Sequence, residues 1–535
     1  MKKIFVLLFI SIFGDFFMMA KDERALEGRG VYKTASANII VSDYPDPDVI
    51  RVDDTYYMVS TTMHFMPGCV ILRSYNLLDW EFCTYVYDEL EKTPGQQLLD
   101  GRGIYGKGMW AASLRYHKGI FYVSFVANDT GKTYLYTSKD IQGPWKKSII
   151  SGFYHDMSIL FDDDGRVFVT HGNCALHLTQ MKEDLTGPLP GGIDKIIVED
   201  EREKVWLGYE GSHFYKINGK YYIFLIDMPK GKMRTQTCFM ADKVDGPYKK
   251  VEVFHSDLGG WNSGVAQGGI VQSNDGSWYG ILFQDHGALG RIPVLVPVTF
   301  DGDRPVFGFE GKASEQVRVL DNRPGYKYKA LYSSAFCDSD GKLNPMWQWN
   351  HIHNPALAYV KDEVLTIKTD RIVSNVVQAT NTLTQRTFNE QCFGSVDLDA
   401  SNINEGDYAG LCALEGEYAF IAITKREGKY FLTSADHKIT GNNTETSYEP
   451  NFLEEIEIPE AKITLGLKFN LSHNKENVQL MYFDKKQGQF VRFGNLSCKL
   501  RYTLDQFVGV RFALFNYSSK VAGGSASFSN FKYDF

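Results

Sequence analysis

The 535-residue chain reads as all-β: a five-bladed β-propeller followed by an antiparallel β-sandwich of the jelly-roll kind. Three observations predict this. A short pattern recurs five times in the first three hundred residues. A weaker turn signature follows at least four of the five copies. Beyond about residue 322 the pattern stops, and a different run of short alternating strands takes over.

The copies are DPDVIRVDDTYYMV from Asp46, AASLRYHKGIFYVSF from Ala111, DMSILFDDDGRVFVT from Asp156, EGSHFYKINGKYYIFL from Glu210 and QGGIVQSNDGSWYGIL from Gln267. Each passes from a small, polar or acidic leader through apolar positions to a polar turn and then an aromatic-rich strand, which is the pattern of a hairpin. Their second aromatics, Tyr57, Tyr122, Phe168, Tyr222 and Tyr279, are 65, 46, 54 and 57 residues apart, with the leader 11 or 12 positions upstream. That period suits four-stranded blades with loop insertions. The second signature (SYNLLDW, SKDIQGPW, KEDLTGP and ADKVDGPY) fits a return strand and turn at the outer edge of a blade. The propeller is expected over 32–322, with function in its axial funnel. A β-sandwich whose hairpins merely look alike is the competing architecture. After the junction, strands such as EVLTIKT, YAFIAITK, ITLGLKFNL and FVGVRFALF predict the sandwich over 331–535.

Length alone asks for two cores. The apolar share of 44%, with 31 Tyr and 36 Phe, suits large sheets and excludes wholesale disorder. Residues 1–20 carry Lys2 and Lys3, an apolar run from Ile4 to Phe13 and a cut after Ala20, which reads as a secretory signal peptide. The expected location is periplasmic or secreted, with no membrane insertion. The formal charge is −8, and loss of Lys2, Lys3 and Asp15 with the leader makes it −9. Such a chain has no broad attraction for nucleic acid and suits a neutral substrate. Eight cysteines show no metal-ligand spacing and read as mostly buried free thiols, although export permits disulfides.

Equivalent positions in a radial repeat face one axis, so the leaders Asp46, Asp156 and Glu210 should converge. Three carboxylates in an uncharged, aromatic-lined funnel ask for glycoside hydrolysis. That reaction needs an acid for the leaving oxygen and a base or nucleophile on the opposite sugar face. Neighbouring carboxylates can hold different protonation states by mutual repulsion. Trp110, at the start of the second copy, can stack on a sugar ring. Met63, His64 and Phe65 are expected to wall the pocket, although such clusters are as often core. His171, His213 and His286 show no close metal spacing and are read as hydrogen-bonding residues. The run Asp162–Gly165 resembles a calcium loop but falls at a hairpin tip without a distal Glu, so it reads as a turn.

The run from Tyr44 (YPDPDVIRVDDTYYMVSTTMHFMPGCVILRSYNLLDW), GMWAASLRYHKGIFY, HDMSILFDDDGR, GYEGSHFYKINGKYY and HGALGRIP resemble glycoside hydrolase family 43, the five-bladed β-xylosidases and α-L-arabinofuranosidases. The segments LNPMWQWNHIHNPA from Leu343 and QFVGVRFALFNYSSKVAGG from Gln506 resemble the β-sandwich of its β-xylosidase branch. The resemblance implies Asp46 as general base, Glu210 as general acid and Asp156 as tuner of the acid. Arg291 matches an arginine that hydrogen-bonds a sugar hydroxyl; a salt bridge within the propeller is its other reading. Two departures stand out. The usual Asp-Pro-Ser is Asp-Pro-Asp here, so Asp48 rivals Asp46, and period-2 alternation would put both on one face. Some members place a histidine, near a central calcium, where this chain has Gln267. A neutral amide binds a hard cation weakly, so no cofactor is expected and a structural calcium is not indicated, with His286 leaving that question open. Gln267 and His286 join Trp110, Arg291, Met63 and Phe65 as substrate-binding candidates.

The expected activity is exo-acting, inverting release of terminal pentose from hemicellulose oligosaccharides, β-1,4-xylose first and α-L-arabinofuranose second. A retaining fructosidase is the rival enzyme, but its Asn-Asp-Pro-Asn and Arg-Asp-Pro motifs are absent. A carbohydrate-binding protein with a dead site is the rival outside enzymes, and the presence of all three acids argues against it.

Overall fold

A computed structural model describes residues 30–439, 448–494 and 497–535. The leader over 1–20 lies outside the described residues. Five four-stranded antiparallel sheets surround one axis, and each repeat copy forms the two inner strands of its sheet. The innermost strands are Asp48–Val52, Met109–His117, Ser158–Phe161, Glu210–Ile217 and Ala266–Gln272, each packed against its neighbours around the ring. Val/Ile/Tyr/Phe alternation drives these hairpins, because branched and aromatic side chains pack well on a pleated surface. The ring is closed from the N-terminal side. Val31–Ser36 pairs with Gln316–Asp321, and Ile39 N–H donates to Pro293 O on blade five. The DDDG tip does form a turn, and buried Asp162 accepts from Lys216 Nζ (2.6 Å) and Tyr221 Oη (2.7 Å), tying blades three and four.

The C-terminal domain stacks two large antiparallel sheets. One runs from Asn451–Ile458 through Lys429–Asp436, Ala419–Arg426, Asp407–Leu414, Arg511–Ser518 and Leu383–Arg386 to Trp347–Asn350. Its last member is Phe65–Met66, lent by blade one and paired as Trp349 with Met66 and Asn350 with Phe65. The other sheet is built on Gln391–Asn402, flanked by Ser525–Asp534 and Lys462–Asn470. Inward alternation buries Val396, Leu398, Leu411, Leu465, Leu467 and Phe512 between them. All eight cysteines are free thiols, seven of them buried. Among the described residues no helix is long and apolar enough to cross a membrane.

The joint between the domains is polar and shared. Asp43 accepts from Arg291 N–H and Gly509 N–H, each at 2.9 Å. Its own carbonyl accepts from Arg386 Nε at 2.9 Å, and the Arg511 guanidinium lies 3.4 Å from the Phe65 ring centroid. Beside them buried His64 and His351 form an aromatic cluster with half-buried Tyr105, the two imidazoles 5.0 Å apart. Burial depresses both histidines, His351 to about 3.

A depressed imidazole has a signed consequence. Above pH about 6.5 both folded and unfolded His351 are neutral; below it only the unfolded chain takes the proton, and stability falls. In His351→Gln the loss of unfolding free energy between pH 7.0 and 5.0 should be smaller than in wild type by about 2 kcal/mol. Urea titrations of both proteins check this, and equal losses would contradict it.

Candidate active site

The turn before the first inner strand holds Asp46 at φ 52°, and the leaders Asp156 and Gln267 share that left-handed region at 49° and 61°. Such φ values are uncommon for residues with a side chain and mark a constrained local geometry. In blades two, four and five the inner pair is also bulged, between Met109 and Ala112, Glu210 and His213, and Ala266 and Gly269. A bulge re-aims side chains near a strand end. The result brings Asp46, Asp156 and Glu210 from three blades to one pocket of about 340 Å³, which Met63, Trp110, Gln267 and Arg291 also line.

Asp46 is buried, and its Oδ1 accepts from Arg291 Nη1 (2.8 Å) and Gln267 Nε2 (3.3 Å). Burial raises its carboxyl above the usual range, although Arg291 pulls the other way. Asp156 is also raised, first by burial and further by the charge of Glu210, while His155 and the Gly211 N–H (3.1 Å to Oδ2) oppose. Glu210 Oε2 accepts from the Asn173 side-chain amide. His155 Nε2 lies 3.7 Å from Asp156 Oδ2 and 3.9 Å from Glu210 Oε2. The charge of Asp156, with help from Glu210, raises that imidazole to about 9.

The opposite wall comes from the sandwich. The loop preceding Arg511–Ser518 carries Tyr502, Leu504 and Phe507 into the pocket. Phe507 stacks on Trp110 (5.9 Å, 25°), and the Arg291 guanidinium lies 4.4 Å from its ring centroid. A carboxylate set on one side and aromatic faces on the other can hold a sugar ring by both its hydroxyls and its C–H face.

A family model for glycosyl hydrolases family 43 matches residues 36–305, and one for the beta-xylosidase C-terminal Concanavalin A-like domain matches 338–534. The chain belongs to glycoside hydrolase family 43. It is 32% identical over 340 residues to a putative beta-xylosidase of Xylanibacter ruminicola, covering 61% of this chain and 60% of that protein. A beta-xylosidase of Formosa agariphila is 26% identical over 95% of this chain and 91% of its own length. A non-reducing end alpha-L-arabinofuranosidase of Bacteroides ovatus is 27% identical over 61% and 63%. Among solved structures, a bifunctional GH43-CE chain of Bacteroides eggerthii superposes with a TM-score of 0.84 at 38% identity, covering 94% of this chain and 64% of that one.

Within this family 43 chain the two rival acids separate cleanly. Asp48 lies below the pocket, on the axis, where it binds Arg115 Nη1 (2.6 Å) and His213 Nδ1 (3.1 Å). Burial pushes its carboxyl up, but Arg115 and His213 outweigh burial and hold it at about 2. The expected shared face fails because left-handed Asp46 breaks the strand alternation. Arg115 also donates to Ser158 Oγ (2.6 Å) and Ile159 O (2.7 Å), so a guanidinium fills the meeting point of the inner strands. A resident cation there, with the Gln267 amide above it, does not fit a hard metal ion. The ligand atoms of His155, Asp156 and Glu210 lie within 4.8 Å of one another, and the charge of the two acids favours a proton on the imidazole.

Three candidates are misplaced by the sequence reading. His64 lies in the joint against Tyr105 (4.6 Å) and His351 (5.0 Å), outside the pocket lining. Phe65 is used in the joint, its ring against His64 (4.2 Å) and Arg511, and it backs the pocket wall without lining it. His286 stacks on Trp261 (4.1 Å, 17°) and meets Gln284 Oε1 at 3.0 Å, outside the pocket. Residues the sequence did not point to are His155, Asn173, Trp206, Arg234, Phe283 and the Tyr502–Phe507 loop. His155 had a signal, being next to a leader, and Phe507 had one in the family-like segment from Gln506; Tyr502 and Leu504 lie outside both the repeat and that segment.

The charge cluster can be read directly. In nuclear magnetic resonance titrations of the histidines, His155 should titrate at about 9, while His286 and His171 stay near 4. Asp156→Asn should lower the His155 value, since Asp156 is its largest cause; an unmoved value would show that the pairing is wrong.

Proposed function

We propose that the protein is an exo-acting, inverting glycoside hydrolase that releases a terminal pentose, β-1,4-linked xylose first, from hemicellulose-derived oligosaccharides. The observation that carries this is the meeting of three acids from three blades in one aromatic-walled pocket. In this reading Asp46 is the base. The Arg291 and Gln267 donors both meet its Oδ1, and Oδ2 takes a proton from the water that attacks the anomeric carbon. As the bond to the leaving oxygen breaks, Glu210 gives that oxygen its proton. Asp156 sets the electrostatics around Glu210 and, through the Gly211 N–H, its backbone position. Arg291 holds Asp46 and lines the pocket beside the sugar. No metal enters any step.

The xylose preference is supported by the beta-xylosidase C-terminal domain match and by the relatives carrying that name. The relative named an alpha-L-arabinofuranosidase supports arabinofuranose as the second substrate. The leader over 1–20 supports an exported enzyme. Hydrolysis of aryl β-D-xyloside and aryl α-L-arabinofuranoside ranks the two sugars, and turnover of neither would end the proposal. Proton spectra of the first-released anomer test inversion.

Glu210→Gln should lose roughly 10²–10⁴-fold on substrates with poor leaving groups and less on activated aryl leaving groups. Asp46→Ala should be crippled on every substrate; a mild effect would remove Asp46 from the base role. Arg291 lowers the Asp46 carboxyl, so Arg291→Met should raise it. The acidic limb of kcat/KM should then move to higher pH, because the base ionises later. A limb that stays put or moves down would contradict the assignment.

A further inference from the structure

A second hollow, of about 390 Å³, adjoins the catalytic pocket and shares four of its residues, Trp206, Met228, Arg234 and Asp285. Beyond that common wall it continues over Pro229, Lys232, Met233 and Asn262. Trp206 stands at the junction with 66% of its surface exposed, an unusual state for the largest apolar side chain. Its backbone is nevertheless fixed. Trp206 N–H donates to Met228 O (2.8 Å), Lys230 N–H donates to Lys204 O (2.9 Å), and Val205 bridges Pro229. The loop that ends in Glu210 is thereby stitched to the loop after blade four's second strand, so the backbone that carries the indole is held in place.

The polar side of the hollow is equally set. Arg234 pairs with Asp285 at 2.8 Å, donates to Gly264 O (2.9 Å) and Ser263 Oγ (3.2 Å), and lies 4.7 Å from the Phe283 centroid. Because Arg234 and Asp285 neutralise each other, this wall offers directed donors and acceptors rather than a net charge. An exposed aromatic face opposite a fixed Arg–Asp pair matches a neutral saccharide. Its C–H face stacks on an indole and its hydroxyls take paired hydrogen bonds.

We infer that this hollow is a binding site for the leaving-group side of the substrate beyond its first sugar, with Trp206 as the stacking platform. The occupant is a neutral pentose chain continuing from the bond cleaved in the adjoining pocket. The inference rests on the proposed function, and it adds a dependence on chain length that the catalytic pocket alone does not require.

The test compares di-, tri- and tetrasaccharides of two series, β-1,4-xylose and α-1,5-arabinose, with wild type, Trp206→Phe and Trp206→Ala. In at least one series wild type should show kcat/KM rising about fivefold or more from dimer to trimer, carried by KM. Trp206→Phe should keep most of that ratio and Trp206→Ala should reduce it to about one. Calorimetric titration of Glu210→Gln with the same dimer and trimer should show the same ratio in Kd, and its loss on adding Trp206→Ala. A ratio near one in wild type for both series, or a ratio untouched by Trp206→Ala, overturns the site. Failure of the functional reading is seen separately, as no turnover of either aryl pentoside by wild type, and the calorimetric arm then still decides whether the hollow takes a saccharide chain.

Discussion

The buried guanidinium of Arg291 is the constraint on which the site depends. Its Nη1 holds Asp46 at 2.8 Å, its Nη2 reaches Phe507 O at 3.3 Å, and its plane covers the Phe507 ring. Its own amide is tied to Asp43, which also binds Gly509 of the sandwich. One residue of blade five thus fixes an acid from blade one and a wall from another domain. A buried cation is tolerable only when its partners are all in place, and breaking such a pair costs about 3–5 kcal/mol through the charge left behind. The same dependence makes the geometry reproducible. Asp46 cannot wander while its counter-charge is pinned from two domains.

The electrostatics divide the acids by their surroundings rather than by residue type. Asp46 and Asp48 are two positions apart and both buried, yet one is raised and the other held at about 2. The difference is the surrounding charge, two basic groups beside Asp48 against one beside Asp46, where Asp156 and Asp43 add like charge. Asp48 takes Arg115, His213 and the Leu114 N–H, whereas on Asp46 burial prevails over the guanidinium and amide that meet one oxygen. A carboxylate held at about 2 by two cationic partners is a weak base for a water proton, and Asp48 does not line the pocket. Across the pocket, His155 brings a positive charge between two acids, which keeps a cluster of negative groups from pushing itself apart.

These features explain what the sequence discloses and what it hides. The five copies and their leaders expose the blades and the convergence of Asp46, Asp156 and Glu210, because radial repetition turns equal sequence phase into one spatial position. Period-2 reasoning fails at Asp46, where a left-handed turn residue re-aims the side chain, and no strand rule anticipates that. Phe65 and His286 were misplaced because proximity in sequence to a leader is not proximity to the axis: one belongs to a strand donated to the sandwich, the other caps a short turn after blade five's second strand. That the Tyr502–Phe507 loop walls the pocket was hidden for a different reason. Apolar residues in a loop look the same whether they face solvent, a core or a sugar, and only tertiary placement tells them apart.

The joint itself argues that the two domains form one functional body. Arg511 is fully buried with no carboxylate in contact among the described residues, held by Gln348 Oε1 (2.9 Å), Thr384 Oγ1 (3.3 Å) and the face of Phe65. Burial, aided by the charge of Arg386, drives its guanidinium well below the usual arginine value. Neutral acceptors on Nη1 and an aromatic face are what hold this cation, and Phe65 of the propeller supplies the face. Removing the propeller strand would therefore uncover the buried centre of the sandwich sheet. Removing the sandwich would take Phe507 from Arg291 and open the pocket beside Asp46. Chemistry is supplied by the propeller and enclosure by the sandwich, and the two buried arginines are what make the division hold together.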